Sequence, residues 1–519
     1  MNPFAHGLVV DWLQKRSLLS PHRVALIDAA TGEEITYTQW NDRANQVANM
    51  LHHLGLSKGD RVAILATNCI EYLDLLFACQ KTGIILQSLN WRLQPGELAR
   101  LVEAVEPRLL VYTPDQAEKV RVITSQTRIA RCLALGPGCI DQHQCWQDLI
   151  AHTATTAPRA VPLTMDDPWV LCYTGGTTGL PKAAILTHGT ITWNSINTIA
   201  SWGLTPDSRT FLNMPLFHTG GINVFTLPLV HVGGCSIVCK CFDVDQVFDL
   251  IEYGGVNIFF AVPTMFIVMQ QHPRWHDSDF SQCQTVLSGG APCPMPVFER
   301  FFEKGVAFKT GYGLTEAGPN NFALPDADVQ RKAGSVGFPL FHVDVAIVND
   351  AGQPCQPDEL GELLLRGPHV ISGYWNNPPD TAKAIRDGWL HTGDLARRDA
   401  EGYIFIVGRV KDMIISGGEN IYPAEVESVM LGHDAVAEVA LIGVPDTKWG
   451  EVGRAIVVLR PGMEVKAHEL ISYTRQHIAH YKVPRSIVFV SSIPKTGAGK
   501  VDKQSLQQQY GYEVVLTEQ

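Results

Sequence analysis

Short apolar runs alternate with amphipathic stretches through most of this chain, and that alternation restricts the fold more than any other feature. "DRVAILATN" (Asp60–Asn68) has the apolar continuity of a strand covered on both faces. "CIEYLDLLFACQKTG" behind it has helical spacing and stops at Gly83. "RLLVYT" and "WVLCYT" are further short apolar strands. The alternation predicts α/β architecture with largely buried sheets. From "YIFIVGRVKDMIIS" onward the pattern restarts. "PAEVESVMLGH" sets Pro423 at a first helical position. "EVALIGVPD", "AIVVLRPG", "HELISYTRQHIAHY" and "SIVFVSSIP" follow as strand, strand, helix and strand. This is a compact α+β unit of about a hundred residues. Two domains are expected, 1–409 and 410–519, with the boundary near Arg409–Asp412.

With 519 residues, 45% of them hydrophobic, the chain can bury a large core and is too long for one ordinary domain. A formal net charge of −11 argues against nucleic acid as a partner, because phosphate binding leaves a basic footprint. "MNPFAHGLVVDWLQKRS" lacks the basic region, apolar run and small-residue cleavage site of a signal peptide. The most apolar stretch, "NIFFAVPTMFIVM", is short and contains Pro263, so it reads as a buried strand running into a helix, not a membrane span. The twelve cysteines are scattered. "CSIVCKC" (Cys235, Cys239, Cys241) is their only cluster, and no second pair completes a zinc site. Reduced cysteines in a cytoplasmic protein are the expectation.

After the strand "WVLCYT", Tyr173 to Ala184 reads "YTGGTTGLPKAA". Three glycines cost backbone entropy on ordering. They also let amides approach a ligand closely, while threonine hydroxyls and Lys182 add donors and positive charge. That combination suits a polyphosphate. It is not a Walker loop, because Leu180 and Pro181 separate Gly179 from Lys182.

Five more segments follow this loop: "SGGAP" (Ser288–Pro292), "GYGLTE" (Gly311–Glu316), "GWLHTGDLA" (Gly388–Ala396), "GRVKDMIISGGENIYPAEVE" (Gly408–Glu427) and "PKTGAGK" (Pro494–Lys500). Six such motifs in this order resemble the adenylate-forming superfamily of acyl-CoA synthetases, peptide-synthetase adenylation domains and luciferases. The chain most resembles the fatty-acyl and aryl-CoA ligase branch, from about Tyr37 to its C-terminus. The resemblance implies a large N-terminal domain of stacked mixed sheets with flanking helices, and a small mobile α+β C-terminal domain.

It also implies a site, residue by residue. Thr174, Gly175, Gly176, Thr177, Thr178, Gly179 and Lys182 would cradle the β- and γ-phosphates of ATP. Gly290 and Ala291 would line the adenine, and Tyr312, between Gly311 and Gly313, would stack on it. Thr315 would hydrogen-bond the α-phosphate, and Glu316 would hold Mg²⁺, a hard cation that takes oxygen ligands. Asp394 would accept both ribose hydroxyls, with Arg409 beside ribose and phosphate. Lys500 would bind both the substrate carboxylate and the α-phosphate, offsetting the repulsion between two anions. Lys411 matches the hinge about which the small domain turns between half-reactions. Gly417 and Gly418 would offer backbone groups to nucleotide or CoA. Taken singly, each residue has a blander reading as a solvated loop carboxylate, a core tyrosine or a solvent lysine.

In "NMPLFHTGGINVF", His218 falls where relatives place an aromatic or histidine near the substrate carboxylate, although alone it would read as a core histidine. Its surroundings are apolar. Amino-acid-activating relatives carry a carboxylate at the next position to meet the ammonium, and here it is Thr219. The expected activity is therefore an AMP-forming acyl-CoA synthetase for an apolar acid, with "RKAGSVG" and "KWGE" leaning toward a medium- or long-chain fatty acid. The competing readings are an aryl-acid ligase of the benzoate or coumarate kind, a luciferase-like oxygenase, and a silent nucleotide- or acyl-binding protein. The intact set Lys182, Glu316, Asp394 and Lys500 speaks against the silent protein. The expected partners are the acid, ATP and CoA. Peripheral membrane contact and a homodimer stay open.

Overall fold

The computed structural model describes residues 9–136, 143–174, 181–417, 419–496 and 500–512. Arg61–Leu65 lies between Ile85–Ser88 and Leu109–Tyr112, all parallel, at the centre of a seven-stranded sheet. Cys132–Ala134 and Gln144–Cys145 extend it on one side. Pro168–Thr174 and Lys182–Thr187 extend it on the other, as an antiparallel pair. Successive side chains of the central strand face opposite ways, so both faces need cover. Val62 and Ile64 pack with helices Tyr37–His53 and Ile70–Thr82. Ala63 and Leu65 pack with helices Pro95–Val105 and Ala117–Gln126. Helix Ile70–Thr82 stops at Gly83, where φ is +69° and a Cβ would meet Leu163 Cδ2 at 2.6 Å.

A second sheet orders Arg209–Leu212, Cys235–Val238, Val24–Asp28 and Glu34–Thr36. A parallel trio, Ile258–Ala261, Thr285–Ser288 and Phe308–Thr310, is filled by a phenylalanine-rich cluster. An antiparallel sheet follows, containing Gly361–Arg366, Trp389–Arg398 and Ile404–Arg409. After a 3-10 turn at Val410–Asp412, Ile414–Ser416 enters a separate sheet with Glu419–Ile421, Gly450–Leu459, Val436–Asp446 and Ser486–Phe489. The expected α/β class, with large stacked mixed sheets and a smaller C-terminal unit, holds.

Pro423 opens helix Pro423–Leu431 as expected. The helix expected over "HELISYTRQHIAHY" is shorter, Ala467–His477, because Ile478 turns extended (φ −136°) before a 3-10 turn at His480–Lys482. "NIFFAVPTMFIVM" splits into strand Ile258–Ala261 and helix Pro263–Gln271. Among the described residues no helix is long and apolar enough to cross a membrane. Cys235, Cys239 and Cys241 are free thiols. Cys145 is disulfide-bonded, a departure from the all-reduced expectation that no sequence spacing signalled.

Candidate active site

The glycine–threonine loop closes the hairpin between Pro168–Thr174 and Lys182–Thr187, with Thr174 paired directly to Lys182. Gly175, Gly176, Thr177, Thr178 and Gly179 lie outside the described residues, as does Gly418. Lys182 Nζ stands 3.1 Å from Asp380 Oδ2 and 5.2 Å from the centre of the Tyr374 ring. The ammonium holds the Asp380 carboxyl below the usual carboxylate range.

The Tyr374 hydroxyl donates to Glu316 Oε1 at 2.8 Å. Burial, with the Glu316 charge, raises the phenol's pKa, so it stays a donor. Glu316 follows buried Thr315 on the 3-10 turn Thr315–Ala317. That turn needs Gly313, because a Cβ there would lie 2.2 Å from the Pro319 carbonyl carbon. Glu316 is thereby fixed in place without a cation. Among the described residues no group of three metal-ligating side chains forms. One oriented carboxylate fits Mg²⁺, which usually takes one or two carboxylates plus substrate phosphates.

Tyr312 and Asp394 meet across the sheets. The Tyr312 hydroxyl donates to Asp394 Oδ2 at 2.6 Å, and Arg409 Nε donates to Oδ1 at 2.9 Å. Burial, then the Asp394 charge, raises the Tyr312 pKa well above its ordinary value. Gly311 follows strand Phe308–Thr310, its N–H donating to the Ser288 carbonyl at 2.7 Å. The phosphate, ribose and adenine candidates therefore converge from four separate strands and turns.

Lys500 comes to the same place. A Cβ built on Gly290 would lie 3.9 Å from Lys500 Cε, so the lysine stem passes within van der Waals reach of the glycine. Lys500 keeps solvent access from the cleft while protein crowds its side chain. Withdrawal of water, reinforced by the Arg409 charge, lowers its pKa against the pull of Asp394 and Glu316. Ala291, beside Gly290, is exposed.

His218 caps the short helix Thr219–Asn223, its Nδ1 accepting from the Gly220 N–H at 3.1 Å. The neutral ring then carries its proton on Nε2. Burial, with the charges of Lys500 and Arg92, pushes its pKa down to about 4, so the ring is neutral at physiological pH. Gly220 and Gly289 leave a slot beside it. A Cβ on Gly220 would meet His218 Nδ1, Phe260 and Met214 at 3.3–3.8 Å, and one on Gly289 would meet Phe260 at 3.1 Å. The adjoining hollow is lined by Met214, Gly220, Gly221, Val224, Phe225 and Phe260, among others.

Lys411 sits in the 3-10 turn between the two sheet systems. Gly417, at φ +60°, packs so closely on Trp449 that a Cβ would stand 2.5 Å from the indole. Lys448 and Arg485 both flank that indole. Trp449, Tyr374 and Asp380 were missed by sequence reasoning. "SGYWNNPPD" carries the last two, but nothing in its spacing marks them as partners of Glu316 and Lys182.

The model of the AMP-binding enzyme family matches residues 13–375, and that of the AMP-binding enzyme C-terminal domain matches 425–500. The chain belongs to this family. It is an AMP-forming acid–thiol ligase of the acyl-CoA synthetase branch. It is similar to a feruloyl-CoA synthase of Amycolatopsis sp, 40% identical over 96% of this chain and 99% of the relative. It is also similar to a long-chain-fatty-acid–CoA ligase of Mycobacterium tuberculosis, 35% identical over 96% of this chain and 98% of the relative. Among solved structures, the anthranilate CoA ligase in complex with anthranoyl-AMP superposes with a TM-score of 0.92, at 27% identity, covering 97% of each chain.

Proposed function

We propose that this ligase activates an apolar carboxylic acid with ATP to an acyl-adenylate and passes the acyl group to CoA. The observation that carries the reading is the meeting of Lys500 with Gly290, inside the charge field of Glu316, Asp394 and Arg409 and facing His218. In the first step a carboxylate oxygen attacks the α-phosphorus, the α–β phosphoanhydride bond breaks and pyrophosphate leaves. Lys500 bridges the two anions as they close. Neutral His218 offers Nε2–H to the carboxylate without adding charge. Asp394 takes the ribose hydroxyls, and Tyr312, tethered to it, presents its ring to the adenine. Glu316 would hold Mg²⁺, which neutralises phosphate charge when bound. In the second step the small unit, 410–519, turns about Lys411. The CoA sulfur then attacks the acyl carbonyl, its proton goes to solvent, and AMP leaves. Trp449, between Lys448 and Arg485, offers a ring for an adenine and cations for phosphates on the face that carries Gly417.

The acid is the finer question. The sequence leans to a medium or long chain. One observation favours a compact ring acid instead: the higher identity to the feruloyl than to the fatty-acid ligase. Acids from acetate to palmitate, with benzoates and cinnamates, are scored by CoA-dependent AMP formation. Ring acids should give the highest kcat/KM, and α-amino acids should give no pyrophosphate exchange, since Thr219 offers no carboxylate to an ammonium. Robust exchange with an amino acid would overturn the apolar-acid reading.

Lys182→Ala should lower kcat/KM for ATP about tenfold, the low end for a charge-assisted contact at a partly exposed site. Its stability should hardly change, because the pair with Asp380 is solvent-accessible. Pyrophosphate exchange against ATP concentration checks this. Parental ATP kinetics in a folded variant would remove the loop from phosphate binding.

A further inference from the structure

Asp394 does not stand in a regular ladder. Strand Gly361–Arg366 pairs with Trp389–Arg398, with Leu364 opposite His391 and Glu362 opposite Leu395. Between these two pairs Leu363 alone, on one strand, faces Thr392, Gly393 and Asp394 on the other. The longer strand bulges there, and a bulge re-aims the side chains it carries. Gly393 takes φ +69°, the left-handed conformation that glycine adopts at no steric cost. On its far side Asp394 is held in the ladder opposite Arg409. On the near side the ladder is broken, and the backbone groups of the bulge need other partners.

Side chains supply them. Glu362 Oε1 accepts from the Gly393 N–H at 3.1 Å, and Glu362 Oε2 lies 2.9 Å from His391 Nδ1. A carboxylate only accepts, so Nδ1 carries the hydrogen. Glu362 therefore spans the start and the middle of the bulge, and His391 sets the direction in which its carboxylate points. The Thr392 hydroxyl donates to the Leu363 carbonyl at 2.7 Å and accepts from the Asp394 N–H at 3.1 Å. Beyond the bulge the buried Asp394 carboxylate faces Tyr312 and Arg409, which bond one oxygen each. Glu362 and His391 are half-buried.

We propose that Glu362, oriented by His391, is a positioning residue for nucleotide binding: through the Gly393 N–H it fixes the bulge that aims Asp394 at the ribose. The proposal rests on the reading of Asp394 as the acceptor of the ribose hydroxyls. Without Glu362 the Gly393 N–H loses its acceptor and the bulge is free to shift, carrying Asp394 with it. Misplacement of a binding group by about 1 Å costs up to about 10²-fold in rate. Glu362 takes no part in the bond changes and acts only through Asp394.

The test compares ATP with 2′-deoxy-ATP and 3′-deoxy-ATP, as kcat/KM for acid-dependent pyrophosphate release by the full chain, with the acid that the parent protein uses best. The parent should prefer ATP over each analogue about tenfold or more, the worth of a hydrogen bond to a charged acceptor. In Glu362→Ala that preference should fall toward one, as in Asp394→Ala. Glu362→Gln should restore it. The amide oxygen accepts from Gly393, and the amino group faces His391, whose other tautomer presents an unprotonated Nδ1. The preference is a ratio, so a smaller folded fraction of a variant does not imitate the result. A parental preference kept in Glu362→Ala would overturn the proposal and leave the ribose reading intact. So would an equal loss on all three nucleotides, which is what a merely structural role produces. A parent without preference, or Asp394→Ala with the preference unchanged, would overturn the ribose reading and the proposal together.

Discussion

Lys500→Ala should release pyrophosphate about 10²–10³-fold more slowly than the parent protein when acid and ATP are supplied, the usual cost of removing one group aimed at developing charge. The same variant should convert chemically supplied acyl-AMP to acyl-CoA at close to the parental rate. The reasoning is electrostatic. Lys500 lies in a field to which Arg409, Asp394 and Glu316 all contribute, and it faces neutral His218. When carboxylate and α-phosphate approach, Lys500 is the cation that the C-terminal segment brings beside Gly290. Once the adenylate exists the two anions are joined in one mixed anhydride with a single negative charge, and the ammonium has no repulsion between reactants left to offset. Alanine removes the charge from a side chain with solvent access, so the fold should survive. Separate assays of the two half-reactions check this. Full adenylation by Lys500→Ala would sink the role given to it.

Lys411→Pro should show the opposite pattern. Lys411 occupies the 3-10 turn Val410–Asp412, where strand Ile404–Arg409 of one sheet gives way to Ile414–Ser416 of the next. The φ range of a 3-10 turn includes the −65° that proline imposes, so proline is compatible with the orientation seen here. It costs some strain at Val410, the residue before it, and resists any rotation of φ at 411. Here Lys500 is already at Gly290, the arrangement that the proposed adenylation requires. The variant should therefore keep pyrophosphate release within a few-fold of parental. Its acyl transfer from supplied acyl-AMP to CoA should be about 10²-fold slower, the scale on which small misplacement impairs a step. Equal loss of both half-reactions in both variants would mean that one turning unit does not serve the two chemistries.

Much of this was legible along the chain because its signals are local. Strand and helix periods, Gly83 as a helix stop, Pro423 as a helix start, and a glycine–threonine–lysine hairpin all act within a few residues. Their physical causes, backbone sterics and side-chain spacing, do not depend on what packs nearby. Six motifs in order also gave the family. The break after His477 was not legible, because helical propensity alone does not register a turn imposed by the sheet beneath.

What only the tertiary structure decided are the contacts between motifs. Tyr374 reaches Glu316 across 58 residues, Tyr312 reaches Asp394 across 82, and Asn320 reaches Thr198 across 122. No spacing rule links such positions, since their approach is set by how separate sheets pack and where their loops emerge. An asparagine inside a helix reads from sequence as a weak helix former facing solvent. Asn194 becomes a buried acceptor only because the helix His188–Trp202 packs against the Thr219–Asn223 turn and the Gly318 loop, which take its donors and leave its oxygen. The sequence by itself determined that the chain builds an adenylating site. Packing determined which side chains hold that site's carboxylate and lysine in place.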